Sequence, residues 1–148
     1  MFHRSLFLAV IVFFTTSGLV LAADWQTDYA KALETAKAEN KQVLLEFTGS
    51  DWCPPCIAIG KQVFAQPEFR AYAEKNLVLV EVDYPQRKKQ SSEIEKQNEM
   101  LGKQYGIEGK GLPTIVLLDS TGKVMRESTG YGGESATEFI AWIEGKSN

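Results

Sequence analysis

Histidine is almost missing from this chain of 148 residues. The single one, His3, lies at the very start, so the rest of the chain has no imidazole for acid–base chemistry or for holding a metal. Cysteine is nearly as scarce, with Cys53 and Cys56 as the whole supply. Two thiolates without histidine cannot complete the four-ligand set of an ordinary structural zinc site. A two-coordinate copper(I) site on the thiolates is the one metal reading left, and it is the weaker one. Neither a metal nor a cofactor is expected. A basic excess is lacking too, since 16 Lys and Arg face 19 Asp and Glu, so nucleic acid is not an expected partner. The only basic cluster, Arg87-Lys88-Lys89, reads as a solvated loop. Internal repeats and low-complexity linkers are absent.

Long apolar runs are confined to the first segment. Met1 to Arg4 is a short basic start, Leu6 to Phe14 is nearly unbroken apolar sequence, and Val20-Leu21-Ala22 ends in small residues suited to cleavage. The run is too short for a membrane span and is interrupted by Thr15-Thr16-Ser17-Gly18. Residues 1–22 are therefore expected to be a secretory signal peptide and 23–148 a single domain. Arg4 is the only charged side chain in 1–22, so cleavage takes the net charge from −3 to −4. The expected location is exported, meaning the periplasm, or outside the cell where there is no outer membrane.

The two cysteines fall in Ser50-Asp51-Trp52-Cys53-Pro54-Pro55-Cys56, between an apolar run and a helical pattern. An exported protein that uses cysteine for stability scatters an even set along its chain, and a ring this short adds little chain-entropy stabilisation. Redox use is the stronger reading. The start of a helix favours thiolate over thiol, which places Cys53 there as the reactive, exposed thiol and Cys56 in the first turn as its less accessible partner. Pro54 and Pro55 fit that turn, where their missing N–H groups break no helical bond.

Along the chain, Asp24 is expected to cap a first helix carrying Trp25, Tyr29, Ala32, Leu33 and Ala36, ended by Asn40-Lys41. Gln42 to Thr48 reads as a strand apolar on both faces except at Glu46, as in sheets covered by helices on each side. Helical spacing follows Cys56 to Phe64, Pro67 interrupts it, and Glu68 to Lys75 is a further helical piece. Leu77 to Asp83 is a second continuous strand. Ser92-x-x-Glu95 has the form of a capping box for a helix closed by Gly106. Thr114 to Asp119 and Lys123 to Ser128 form a hairpin around Ser120-Thr121-Gly122, and Ser135 starts a last helix that buries Ala136, Phe139, Ile140 and Ile143. No strand precedes the first helix. The order gives an α/β domain with a mixed sheet.

Trp52-Cys53-x-x-Cys56 after a strand and before a helix, with Leu112-Pro113-Thr114 opening a later strand, resembles the thioredoxin superfamily. Phe47 to Cys53 is similar to exported bacterial members. The resemblance implies a thioredoxin-like fold with a central mixed sheet of about four strands flanked by helices. It implies that Cys53 attacks, Cys56 resolves, and Pro113 is cis and faces the start of the cysteine helix. The backbone at Leu112 would pair with an extended substrate chain. Without the resemblance, most X–Pro bonds are trans and a proline opening a strand needs no special reading. Glu46, costly to bury unpaired, matches an acidic position that moves a proton to or from the buried thiol. One extra residue separates its strand from Trp52. Trp52 shapes and shields the site. Tyr131 borders the substrate groove or packs, and both readings stand.

The expected activity is thiol–disulfide exchange on exported proteins that carry disulfides or thiols. Strong oxidants and isomerases of the superfamily generally have a His between the cysteines. The Pro-Pro pair brings neither charge nor side-chain donor, which favours a reductase supplied by a membrane electron donor. An oxidase or isomerase is the alternative, and a non-catalytic peptide-binding module is a third reading. The chain is expected to act as a monomer.

Overall fold

Two runs rich in Val and Leu set the centre of the fold. Gln42–Thr48 forms strand β1 and Leu77–Asp83 forms β2, paired in parallel from Gln42↔Leu77 to Thr48↔Asp83. Strand β3 (Thr114–Leu118) pairs antiparallel with the other edge of β1, and β4 (Val124–Thr129) completes the order β2-β1-β3-β4. The computed structural model describes residues 24–146, and the expected signal peptide lies outside them. The mixed four-stranded sheet expected from the sequence is the sheet that forms.

Alternation along each strand decides what faces what. Leu45, Phe47, Val80 and Val82 pack with Ala32 and Ala36 of α1 (Tyr29–Glu39) and Leu101 of α4 (Ser92–Gln104). Leu44, Leu79, Ile115 and Leu117 face the other way. They meet α3 (Pro67–Asn76), α5 (Ala136–Ile143) and the segment after the cysteines, where α2 (Pro54–Ile59) runs on into a π-helical turn over Gly60–Phe64. By the same alternation Glu46, Thr48, Glu81 and Asp83 lie on the α2 side of the sheet. Phe64 joins this layer through rings, with centroids 5.0 Å from Trp25, 5.0 Å from Phe69 and 5.5 Å from Phe139.

Local details correct several expectations. The cap of α1 is Asp28, not Asp24, and its carboxylate accepts from the Lys31 N–H at 3.0 Å. Trp25 is drawn instead to Phe64, on the face of the sheet opposite α1, and Gln26 pairs with the free edge of β2 through Leu79 O and the Glu81 N–H. The edge strand missing from the sequence pattern survives as this single bridge. Ser91 rather than Ser92 caps α4, accepting from Ile94 N, which leaves Glu95 one place too far along to close a capping box. The hairpin strands end one residue early and begin one late, because the Asp119 side chain turns inward to accept from Thr121 and Lys123. Ser135 and Glu138 do form the reciprocal box, while Ile140 is half-buried rather than buried.

An exposed N-cap substituted by alanine typically costs about 1 kcal/mol. Asp28→Ala should lose about that much in urea unfolding and Asp24→Ala essentially nothing.

Candidate active site

Strand β1 ends at Thr48, and the chain turns at once. The Trp52 and Cys53 N–H groups both donate to the Gly49 carbonyl, at 3.1 and 2.9 Å, which closes the turn that absorbs the extra residue before Trp52. Cys53 then caps α2, with Pro54 and Pro55 in its first turn. Cys53 and Cys56 are joined as a disulfide. Both are 3% exposed, so Cys53 is not the open sulfur expected from the sequence. The bond to Cys56 draws its sulfur over the first turn of α2. Pro54 is exposed, and Trp52 and Ile57 present apolar surface on either side of the pair, at 38% and 37% exposure.

This loop is stapled to the connection between β2 and α4. Asp83 accepts from both the Ser50 N–H and hydroxyl, at 2.9 and 2.5 Å. Asp51 accepts three successive backbone N–H groups, from Gln86, Arg87 and Lys88, at 2.9, 2.7 and 3.0 Å. Such a run of amides is an anion nest, and it holds the Asp51 carboxyl below its ordinary range. The Trp52 indole N–H donates to Tyr84 O at 2.7 Å, and its ring lies over Gly49 so closely that any side chain at 49 would collide. The Tyr84 hydroxyl rests against Gly102 and donates to Asn98 O, while the Asn98 amide donates to Asp83 O. The Tyr84–Gln104 segment is thus packed into the cysteine loop.

Beside the end of β1 stands the loop before β3, since Thr114 is the register partner of Phe47. The Leu112–Pro113 peptide is cis, Pro113 is buried and its carbonyl accepts from the Gly130 N–H at 2.8 Å. Leu112 is half-buried and shares a cavity of about 590 Å³ with Tyr84, Gly102, Lys103 and Ile107. Tyr131 is engaged elsewhere: its hydroxyl donates to Gln62 Oε1 at 2.8 Å and lies 2.9 Å from Glu134 O. It ties the Gly-rich loop to the turn after α2.

Glu46 is 6% exposed. Its register partners are Glu81 on β2 and Ile115 on β3. Burial pushes its carboxyl up to about 8, the Glu81 charge adds to the rise, Thr48 partly offsets it and Asp83 adds a little more. Glu81 is itself raised by burial and by Asp83. Three carboxyls therefore share the α2 side of the sheet beneath the cysteine loop. Among the described residues no group of His, Cys, Asp and Glu is arranged to hold a metal.

Comparison with known proteins agrees with this layout. Residues 29–146 match the family model described as thioredoxin-like domain. The chain belongs to the thioredoxin superfamily. It is 41% identical over 99 residues to disulfide bond reductase DsbH of Chlamydia pneumoniae, covering 67% of this chain and 58% of that protein. Thioredoxin-related protein DsbJ of the same organism is 33% identical over 115 residues, covering 78% of this chain and 32% of DsbJ. The chain thus spans little more than half, or a third, of these relatives. A solved DsbH oxidoreductase superposes with a TM-score of 0.77 at 31% identity, covering 93% of this chain and 94% of that one.

The sequence named the cysteines, Trp52, Glu46 and Pro113 as site candidates and set Asp51 at the surface without a role, and it assigned nothing to Ser50, Glu81, Asp83 or Tyr84. A faint signal existed for Asp51. A carboxylate in the loop and a proline-opened connection with free N–H groups after it can complement each other.

A carboxyl raised from 4.5 to about 8 on folding binds its proton more tightly when folded. Its stabilising share is complete below the unfolded value and is lost as pH rises through the folded one. Glu46→Gln cannot ionise. Urea unfolding at pH 5 and pH 9 should therefore show this variant gaining on the unmodified protein by on the order of a few kcal/mol at the higher pH.

Proposed function

We propose that this protein is a thiol–disulfide oxidoreductase that reduces disulfides in exported proteins through a Cys53/Cys56 cycle. The observation that carries the reading is the Cys53–Cys56 disulfide at the start of α2, flanked by exposed Trp52 and Ile57. In the reduced protein the Cys53 thiolate attacks one sulfur of a target disulfide. A mixed disulfide forms, and the displaced target thiolate takes a proton. Cys56, deprotonated by Glu46, then attacks the Cys53 sulfur. The second target thiolate leaves, the Cys53–Cys56 disulfide forms, and two electrons have passed to the target. A carboxyl near 8 suits proton exchange with a thiol near neutral pH.

The direction follows from what stabilises the thiolate. A strong oxidant owes its potential to a well-stabilised reduced thiolate. Pro54 and Pro55 offer Cys53 no charge and no N–H; of the charges tied to the loop, Asp51 and Asp83 are negative, and Lys88 is positive but turned to Ser50. The similarity to a protein named disulfide bond reductase supports the same direction. Export rests on residues 1–22 read as a signal peptide, and the cycle then needs a membrane donor to reduce Cys53–Cys56 again. Target backbone would lie along Leu112, with Trp52 shielding the exchanging sulfurs and Tyr131 acting as a strut.

Cys56→Ser should accumulate a mixed disulfide through Cys53 when the reduced protein meets a peptide with an intrachain disulfide. Cys53→Ser should not. Mass spectrometry of the adducts distinguishes the two, and equal trapping by both variants would overturn the assigned order of attack.

A further inference from the structure

The chain's one run of adjacent cations, Arg87-Lys88-Lys89, sits in an otherwise net-acidic protein, and the fold ties it to the redox loop. The tie is made by Asp51, which holds the backbone N–H groups of residues 86–88. Trp52 reinforces it through Tyr84 O. A merely solvated connection would spend those donors on water. Here they fix Arg87 and Lys88, with Lys89 next in the chain, to a residue two positions from Cys53. Consecutive Cα atoms are about 3.8 Å apart, so Asp51 Cα lies within about 8 Å of Cys53 Cα. Long side chains starting beside Asp51 act on a polypeptide at Cys53 over distances comparable with the Debye length, about 8 to 10 Å.

The three cations are not equivalent. Lys88 turns inward, with its ammonium 3.3 Å from Ser50 Oγ and its charge acting on Asp51 and Glu81. Arg87 and Lys89 are exposed, and neither forms an ion pair among the described residues. Of the carboxylates near this connection, Asp51 is held by the loop amides and Asp83 by Ser50, while Glu95 and Glu99 line a hollow with Lys88. Arg87 and Lys89 are left as exposed cations without an ion pair among the described residues, on a connection tied to the redox loop.

We propose that Arg87 and Lys89 form a docking edge that selects target polypeptides carrying acidic residues beside the reacting disulfide. The inference rests on the thiol–disulfide reading and adds the class of target to it. Opposite charges raise association rates and like charges lower them, which is how such an edge would discriminate.

The test uses two peptides with the same intrachain disulfide, one flanked by Glu and one by Lys, and the reduced protein with Arg87→Gln and Lys89→Gln together. In the unmodified protein the acidic peptide should be reduced about 10-fold faster than the basic one at low salt, with the ratio falling at high salt. In the double variant the ratio should approach one. A ratio that the substitutions leave unchanged, or one insensitive to salt, overturns the docking edge while leaving exchange itself intact. Failure to reduce either peptide overturns both readings. If the substitutions abolish sedimentation with vesicles containing anionic lipid and leave the peptide ratio untouched, the edge serves a membrane surface and the proposal is wrong.

Discussion

Strand β1 is buried on both faces at the centre of the sheet, and the site is built on that constraint. Leu44 to Phe47 have helices above and below, with β2 on one edge and β3 on the other. Because β1 cannot shift without exposing one face, its end at Thr48 is a fixed point from which the cysteine loop departs. The same burial places Glu46 where a carboxylate is poorly solvated, so its proton affinity rises towards that of a thiol. Position and proton affinity thus have one cause. β2 brings the second half of the device, since its register sets Glu81 beside Glu46 and Asp83 beside Thr48.

The cysteine loop depends on polar contacts rather than on apolar packing. Ser50, Asp51 and Trp52 each reach across to the segment after β2, and each contact holds a backbone or side-chain group that would otherwise need water. Negative charge is concentrated here for structural reasons: Asp83 and Asp51 act as acceptors in the staple. In the reductase proposed above, a first helical turn of two prolines offers the Cys53 thiolate neither charge nor side-chain donor.

Much of this was legible before the fold was known. The two-faced strands, the helix after Cys53 and the Gly-rich approach to α5 all follow from residue patterns that local physics reads directly. The misplaced features depend on distant partners. Asp24 and Asp28 are equally good caps on local grounds, and the choice falls to Asp28 because Trp25 is claimed by Phe64 and Gln26 by β2. Ser91 and Ser92 present the same ambiguity, one residue apart. The role of Asp51 was only faintly signalled because its three donors lie 35 to 37 residues away. Cys53 was placed correctly at the helix start, but its near-complete burial was not foreseen.

The direction of electron flow is the central claim, and the reduction potential of the Cys53–Cys56 pair tests it most directly. Equilibrating the protein with glutathione and dithiothreitol buffers at pH 7 and counting free thiols gives that value. The account requires a potential toward the thioredoxin end, at about −270 mV, as two prolines in the first turn of α2 would produce. A potential near about −120 mV would mean a strongly stabilised Cys53 thiolate, contradict the electrostatic argument, and make this protein one that forms disulfides.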